Sequence, residues 1–369
     1  MNEEKSTRYH RLVRATAWLS LAVHACGLAV LIPGGGAIAL RDIAVRITGH
    51  SPASIPTVEV FTLLLLIAAE AVGLPLAFYR SFLLEHRYGL SSAPLRVWLR
   101  DHAKGFALGA ILGVLAASVV YLTIARWPGG WWLASAAAFI AAVIVLARVM
   151  PALLLPLFYG FKPLDRPALQ SRLESLSARA GLPVLGVYEW GLGEKSSRAN
   201  AALVGTGRGR RILLSDTLLS HYTDDEIEVI IAHELGHHAH RDIRTGLLIE
   251  SLLITGSCAA AAAALDVWWR PLGLTGPADV AGLPLLLLVA GAVTLAARPV
   301  RNALSRRNEH RADRFALAMT ERPEAFVSAM RRLAQQNLAE TRPSAATRWL
   351  FHTHPPFEDR IEAARAWPR

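Results

Sequence analysis

The chain has 369 residues, of which 53% are apolar and only 18% charged; soluble proteins carry about 25% charged residues, so the composition predicts a membrane protein. The net charge of +10 would suggest nucleic acid in a soluble protein, but the arginines cluster beside apolar stretches, so we expect acidic lipid headgroups and no nucleic acid as partners. The two cysteines, Cys26 and Cys258, lie inside apolar stretches, which excludes a disulfide framework and a cysteine-based zinc site.

Six stretches are long and apolar enough to cross a bilayer, which takes about 20 residues of helix. They lie near residues 15–33, 56–79, 105–125, 131–157, 246–265 and 280–300. The first has no Ala-x-Ala cleavage site, so we expect a retained anchor. Basic residues cluster before the first stretch, between the second and third, and after the last. The positive-inside rule then predicts that both termini are cytoplasmic.

Two charged residues fall inside these spans. Glu70, in the second, and Arg148, in the fourth, lie at similar distances from the predicted cytoplasmic side. Because an unpaired charge inside a bilayer is costly, we expect these two residues to form a structural ion pair.

A region of ordinary soluble patterning separates the fourth span from the fifth. It begins with a helix that Asp165 caps and Gly181 ends. Three short β-type segments follow, and they predict a small sheet with an edge open to a peptide: Val187–Trp190, Ala202–Val204 and Ile212–Ser215.

A candidate metal site follows the predicted sheet. A capping box beginning at Thr223 starts a helix that we expect to run to about His240. His233 and His237 of its HELGH segment are four residues apart, so they share one helical face and can reach a single ion. Glu234 is placed to take a proton from a metal-bound water. The pattern favours one zinc ion per chain, whereas His238 and His240 fit ordinary solvated residues.

The topology points to a third ligand. His237 comes about nine residues before the fifth span and Glu309 about nine after the sixth, so continuing helices would bring both to the same depth. Asp313 lies one turn after Glu309 and suits a group that orients a zinc-bound histidine. The alternative is a solvated helix of paired arginines and acids, SRRNEHRADR.

The motifs resemble those of the integral-membrane CAAX prenyl protease family, whose wider group includes the bacterial membrane heat-shock protease. The likeness rests on HELGH, a hydrophobic hairpin and NEHRAD, and extends to RYGLSSAPLRVWLRDHAKG, RRILLSDTLL and THPPFEDRI. Eukaryotic members of that family have seven spans around a large chamber, whereas six spans are predicted here.

The resemblance implies a role for each matching position. These are the zinc ligands His233, His237 and Glu309, the general base Glu234, Asp313 behind the ligands, Asn200 on the substrate backbone, and His354 and Arg360 at the oxyanion. Ala199 stands where members of the family often have serine. Taken without the resemblance, Pro355 and Pro356 also fit the start of a C-terminal helix with Arg360 as a solvated charge.

The expected fold is a mainly α membrane protein of about six transmembrane helices with a cytoplasmic, zincin-like α+β catalytic domain that holds a small sheet. Residues 1–157 form an N-terminal membrane region with four transmembrane helices. Residues 158–369 form an M48-type metallopeptidase domain, with a membrane hairpin at about 246–300 inserted between HELGH and the third ligand.

The predicted function is an integral-membrane zinc metalloendopeptidase, acting on prenylated peptides or misfolded membrane proteins. The alternative is a membrane scaffold or adaptor that binds peptides without cleaving them. A thermolysin-like aminopeptidase is disfavoured because Gly256 and Ser257 stand where its third ligand falls. Compactness and Ala/Arg-rich usage favour the bacterial inner membrane, or the endoplasmic reticulum in a eukaryote.

Overall fold

The computed structural model describes residues 3–149, 155–205, 207–340 and 343–368. Within these ranges six helices are long and apolar enough to cross a membrane, as the sequence predicts. The N-terminal region contributes α1 (Glu3–Leu31), α2 (Gly36–Thr48), α3 (Ile55–Phe78), α4 (Leu84–Arg87), α5 (Leu95–Arg126) and α6 (Trp131–Val149). The predicted fourth span extended to residue 157, and its residues 150–154 lie outside the described residues.

The short helix α2 was not predicted. At 13 residues it is too short to cross a bilayer, and it lies in the connection between the first two long helices. Gly35 and Gly49 flank it, both in the left-handed conformation that glycine adopts without strain. Arg41 of α2 forms an ion pair with Asp279, with Nη1 and Oδ2 2.7 Å apart. The pair ties this connection to the turn before the sixth long helix.

The predicted pair of Glu70 and Arg148 is wrong. Glu70 Oε1 lies 2.6 Å from Nε2 of His102 on α5, while Arg148 is exposed. Helix α5 begins at Leu95, about ten residues before its apolar stretch, and this extra length carries His102 alongside α3. The apolar pattern locates where a helix can cross the membrane but not where the helix begins.

The soluble region forms a four-stranded mixed sheet. Its strands are β1 (Phe161–Pro163), β2 (Val187–Trp190), β3 (Ala201–Val204) and β4 (Arg211–Ser215), in the order β1-β2-β4-β3. β2 and β4 are parallel and the outer pairs antiparallel. The three predicted strands are confirmed, and β3 lies at an edge. Helix α7 (Pro167–Arg179) follows β1; Arg166 rather than Asp165 occupies its N-cap position, and Gly181 ends it with a φ of 70°.

The remaining helices cover this sheet and rejoin the membrane part. They are α8 (Asp216–His221), α9 (Asp224–Ala239), α10 (Asp242–Trp268), α11 (Leu283–Thr320), α12 (Pro323–Gln336), α13 (Ala345–Phe351) and α14 (Phe357–Arg365). α10 and the apolar part of α11 form the predicted membrane hairpin. α11 is continuous over 38 residues, so the part of this helix that follows the hairpin packs directly along α9.

Candidate active site

Helix α9 begins as predicted with a reciprocal capping box. The Thr223 side chain accepts from the Glu226 backbone N–H, and the Glu226 carboxylate accepts from the Thr223 backbone N–H. Ile227, Ile231 and Leu235 are fully buried in the core shared with the sheet, α7 and α12. Packing along this apolar side fixes the rotation of α9 and turns the HELGH histidines towards α11.

Three side chains converge between α9 and α11. His233, His237 and Glu309 each offer a ligand atom, and these atoms all lie within 4.8 Å of one another. The Glu309 carboxylate oxygens lie 3.3 Å from Nε2 of His233 and 3.4 Å from Nε2 of His237. Glu309 is 4% exposed and Asp313 is 5% exposed, so this part of α11 is not the solvated helix that the sequence left open.

Two carboxylates fix the orientation of the histidine rings. Nδ1 of His233 lies 2.8 Å from Asp313, and Nδ1 of His237 lies 2.8 Å from Asp242. These contacts place a ring proton on each Nδ1 and direct the two Nε2 atoms, 3.2 Å apart, towards the same space, where each offers a lone pair once the ring is neutral. Two converging acceptors and a carboxylate form a donor set that suits a cation.

Asp242 is a site residue that the sequence did not predict. Arg241 ends the link between α9 and α10 in the left-handed conformation, with a φ of 59°. This bend brings Asp242 back towards His237, five positions earlier, and Arg311 of α11 binds its other oxygen at 2.5 Å. An acid in the first turn after the metal helix was the available signal, but a non-glycine bend is not readable from the sequence.

The donor set passes a second test for a metal ion. Oε2 of Glu309 is buried and receives no well-directed hydrogen bond among the described residues, although Nε2 of His233 lies 3.3 Å and Nδ1 of His354 2.8 Å from it. A buried carboxylate oxygen without a partner is costly, and coordination of a cation satisfies it. The residues present therefore fit a metal ion held by two imidazoles and one carboxylate.

Electrostatics in the metal-free site raise the pKa values of both histidines and of Glu234, whereas hydrogen bonds from the histidines lower the pKa of Glu309 against the effect of its burial. Burial lowers the pKa of His233, but hydrogen bonds with Asp313 and Glu309 outweigh it and raise the pKa to about 9. Burial lowers the pKa of His237, but its contacts with Glu309 and Asp242 together outweigh this and raise the pKa. Burial raises the pKa of the Glu234 carboxyl, and the neighbouring histidines oppose this rise.

Glu234 lies beside this donor set with its carboxylate uncommitted. The side chain is half-buried, and among the described residues it makes no hydrogen bond or ion pair. A carboxylate with a raised pKa and no structural partner is free to exchange a proton with a bound molecule.

The C-terminal segment adds two charged groups. His354 is exposed, and its Nδ1 lies 2.8 Å from Oε2 of Glu309. Arg360 is 6% exposed and makes a bidentate pair with Asp313 at 2.6 and 2.8 Å. α14 does begin after Pro356, as the alternative interpretation had it, but Arg360 is not a solvated charge. Its Nη2 lies 3.4 Å from Nδ1 of His233, on the side of the ring away from Glu309.

Edge strand β3 passes close to α9. The backbone of Asn200, just before β3, pairs with Ser215, and its side chain is exposed. Because antiparallel pairing alternates, the Ala201 and Leu203 backbone groups point away from β4. His238 is not merely solvated, since its Nε2 lies 3.0 Å from the Leu203 carbonyl and joins α9 to this edge.

Two family models together match nearly the whole chain. The model described as Peptidase family M48 matches residues 163–368. The model described as CAAX prenyl protease N-terminal, five membrane helices, matches residues 2–160. The fold and the site define an integral-membrane metalloendopeptidase. The chain belongs to peptidase family M48.

Individual relatives agree with this assignment. The uncharacterized metalloprotease YhfN of Bacillus subtilis is 30% identical over 311 residues, which cover 82% of this chain and 72% of that protein. The probable CAAX prenyl protease 1 of Schizosaccharomyces pombe is 26% identical over 82% of this chain, and the match spans 65% of its length. The crystal structure of S. mikatae Ste24p superposes with a TM-score of 0.88 at 22% identity, covering 98% of this chain and 88% of that one, and so shows the same fold.

Proposed function

We propose that this protein is a zinc endopeptidase in which His233, His237 and Glu309 bind the metal. The convergence of their donor atoms within 4.8 Å is the observation that carries the proposal. Zinc accepts two imidazoles and a carboxylate and keeps a fourth position open. When bound, it polarises the substrate carbonyl and lowers the pKa of water to about 7.

The protein's own groups perform the proton transfers. Glu234 takes the proton from the attacking water and gives it to the leaving amine. Its freedom from structural partners supports this role. His354, exposed on the side of Glu309 that faces the histidine pair, stabilises the negative charge that develops on the carbonyl oxygen.

Asp313 and Arg360 position the metal ligands. Asp313 holds the His233 ring through Nδ1, and Arg360 holds Asp313 through two hydrogen bonds. The resemblance implied that Arg360 contacts the oxyanion. Its place behind the His233 ring instead favours a role in positioning Asp313. A buried bidentate pair is suited to holding the Asp313 carboxylate, and with it the His233 ring, in one orientation.

The substrate lies along the free edge of β3. The outward backbone groups of Ala201 and the outward N–H of Leu203 pair with an extended peptide, and Asn200 binds its main chain at the start of the strand. The His238 bond to Leu203 brings this edge against the metal helix. Main-chain pairing of this kind selects for extended peptides and places few demands on sequence.

We further propose that substrates carry an apolar segment or lipid chain. An apolar cavity of about 400 Å³ lies among α3, α5, α6, α10 and α11. Glu250 lines this cavity, and Asp242, which contacts His237, lies eight residues earlier on α10. The cavity is therefore about 12 Å along the helix from the metal site. Prenylated peptides and misfolded membrane proteins both meet this requirement. The relatives named CAAX prenyl protease support the first.

The domain division and orientation complete the proposal. Residues 1–157 serve as an N-terminal membrane region with four transmembrane helices and residues 158–369 as the peptidase domain, with the hairpin at about 246–300 inserted in it. The distribution of arginines supports a cytoplasmic catalytic domain and cytoplasmic termini, in a bacterial inner membrane.

Substitution of the proposed base tests the mechanism. We expect Glu234→Gln to abolish peptide cleavage while the protein keeps one zinc ion per chain and its thermal stability. Glu194→Gln, at an exposed glutamate, is the matched control and should cleave normally. Comparing peptides with and without a lipid tail, with products mapped by mass spectrometry, tests the substrate class. Normal cleavage by the Glu234 variant would remove this residue from the mechanism.

A further inference from the structure

A cationic pocket lies behind the metal site, between α11 and α14. Its volume is about 620 Å³. Four arginines line it, Arg306, Arg307, Arg314 and Arg360, against a single acid, Asp313. Four positive charges and one negative charge give a net charge of +3 with histidine neutral. So much uncompensated positive charge in one concavity attracts anions.

The arginines at the rim are not committed to protein partners. Arg307 and Arg314 are seven positions apart on one face of α11, with His310 between them. All three side chains are exposed, and none makes a hydrogen bond or ion pair with any residue that the structure describes. Guanidinium groups crowded without counter-charges repel one another, and a phosphate accepts hydrogen bonds from several of them at once.

The position of the pocket selects a membrane lipid as the source of the anion. The apolar stretch of α11 ends near Val300, where we place the edge of the bilayer, and the helix continues beyond it, so Arg307 lies about 10 Å and Arg314 about 21 Å beyond that edge. The headgroup layer is roughly 5–7 Å deep on each side, and an arginine side chain spans the difference. Trp367 and Leu317 give the pocket an apolar wall as well. A lipid headgroup therefore enters the pocket at its Arg307 end while its chains stay in the bilayer.

The pocket shares its deepest residues with the metal site. The Asp313–Arg360 pair lines the pocket on one side and contacts His233 on the other. Arg306, also in the lining, donates to the carbonyls of Arg348 at 3.0 Å and of His352 at 2.7 Å. The second of these lies two residues before His354. An anion in the pocket therefore touches the groups that hold the C-terminal segment against α11.

We propose that this pocket binds the phosphate of an anionic phospholipid and that occupancy activates proteolysis. The anion relieves repulsion among the arginines and holds α14 against α11, which keeps Asp313 behind His233. The activation rests on the proposed peptidase function, whereas the binding does not.

Binding and activity are measured separately in lipid nanodiscs. Phosphatidylcholine discs with and without phosphatidylglycerol provide the comparison, and native mass spectrometry of protein released from them counts retained lipid. We expect wild type to retain phosphatidylglycerol selectively and to cleave peptide at least threefold faster when it is present. The double variant Arg307→Gln, Arg314→Gln should lose both the retained lipid and the acceleration. Glu234→Gln should still retain the lipid.

The matched control removes the same charge elsewhere beside the membrane. Arg96→Gln, Arg100→Gln alters two exposed arginines at the start of α5 and should keep both responses. Equal loss in this control would overturn the pocket in favour of general membrane charge. If inorganic phosphate reproduces the acceleration in phosphatidylcholine discs, the lipid source is wrong. Selective retention without any proteolysis would refute the peptidase function and leave the lipid site standing.

Discussion

Gly236, inside the HELGH segment, sets the distance between α9 and α11. A β-carbon built on it lies 3.0 Å from Cα of Ala312, 3.2 Å from Cβ of Phe315 and 3.3 Å from Cβ of Ala312. Carbon atoms pack best at about 3.5–4.0 Å. Gly236→Ala therefore forces α9 and α11 apart by about 0.5 Å. The nearest atom is a backbone atom of α11, which cannot move aside as a flexible side chain can.

That displacement matters more to the metal than to the fold. Overpacking costs about 1–3 kcal/mol, and alanine in a helix recovers about 1 kcal/mol relative to glycine, so the net loss of stability is small. Metal–ligand distances, however, tolerate only about 0.2 Å. We expect zinc affinity to fall about 10–100-fold, the range seen when the groups that orient ligands are disturbed.

Competition with a chelating indicator measures this affinity, and peptide cleavage at saturating zinc separates binding from turnover. Gly246→Ala is the matched control, because this glycine is also in a helix and has nothing within 4 Å of its built β-carbon. The control should bind zinc normally. A folded Gly236→Ala protein with wild-type zinc affinity would refute the claim that this contact sets the ligand geometry.

Three further predictions concern charged groups. Asp313→Asn should weaken zinc binding about 10–100-fold, because the His233 ring loses its anionic partner; unchanged affinity would show that the ring is held by packing alone. With a pKa of about 9, His233 is protonated at pH 7.5 in the metal-free protein, so zinc binding should release about one proton and strengthen as pH rises towards 9. Calorimetry in two buffers of different ionisation enthalpy checks this, and zero release would contradict it. Asp279→Asn should destabilise the detergent-solubilised protein by about 3 kcal/mol, because it removes the fully buried carboxylate from the pair and leaves Arg41 only the exposed Asp42. Asp42→Asn, which removes an exposed partner of the same arginine, should cost at most about 1 kcal/mol in thermal unfolding; equal losses would show that burial does not decide the effect.

Features encoded by local pattern were predictable. The long apolar helices follow from composition over about 20 residues, and the start of α9 follows from its capping box. Glu309 was predicted as a third ligand because the membrane hairpin returns the chain to the depth of His237. These inferences need only local signals and a count of residues along the chain.

Features that depend on tertiary contacts were not predictable from the sequence. Helix α2 carries Arg41 and other polar residues, so it has no spanning signal, and its packing against α3 and against the turn before α11 is a tertiary feature. Strand β1 has three residues, one of them Pro163, which suits an edge but gives no alternating pattern. Asp242 depends on the backbone bend at Arg241, and Glu70 finds His102 only because α5 begins before its apolar part.

The continuity of α11 joins the proposed metal centre mechanically to the bilayer. Two of the proposed ligands lie on α9, which the bend at Arg241 separates from the membrane hairpin, whereas Glu309 lies on the same continuous helix as a membrane span, ten residues after Pro299. From the middle of that span to Glu309 is about 28 Å, so when α11 tilts as one body through Pro299 each degree of tilt moves the carboxylate by about 0.5 Å. Helix tilt responds to the thickness of the hydrocarbon layer. The thickness of the host membrane is therefore one of the variables that set the coordination geometry, and zinc affinity measured in detergent and in bilayers of different chain length should differ.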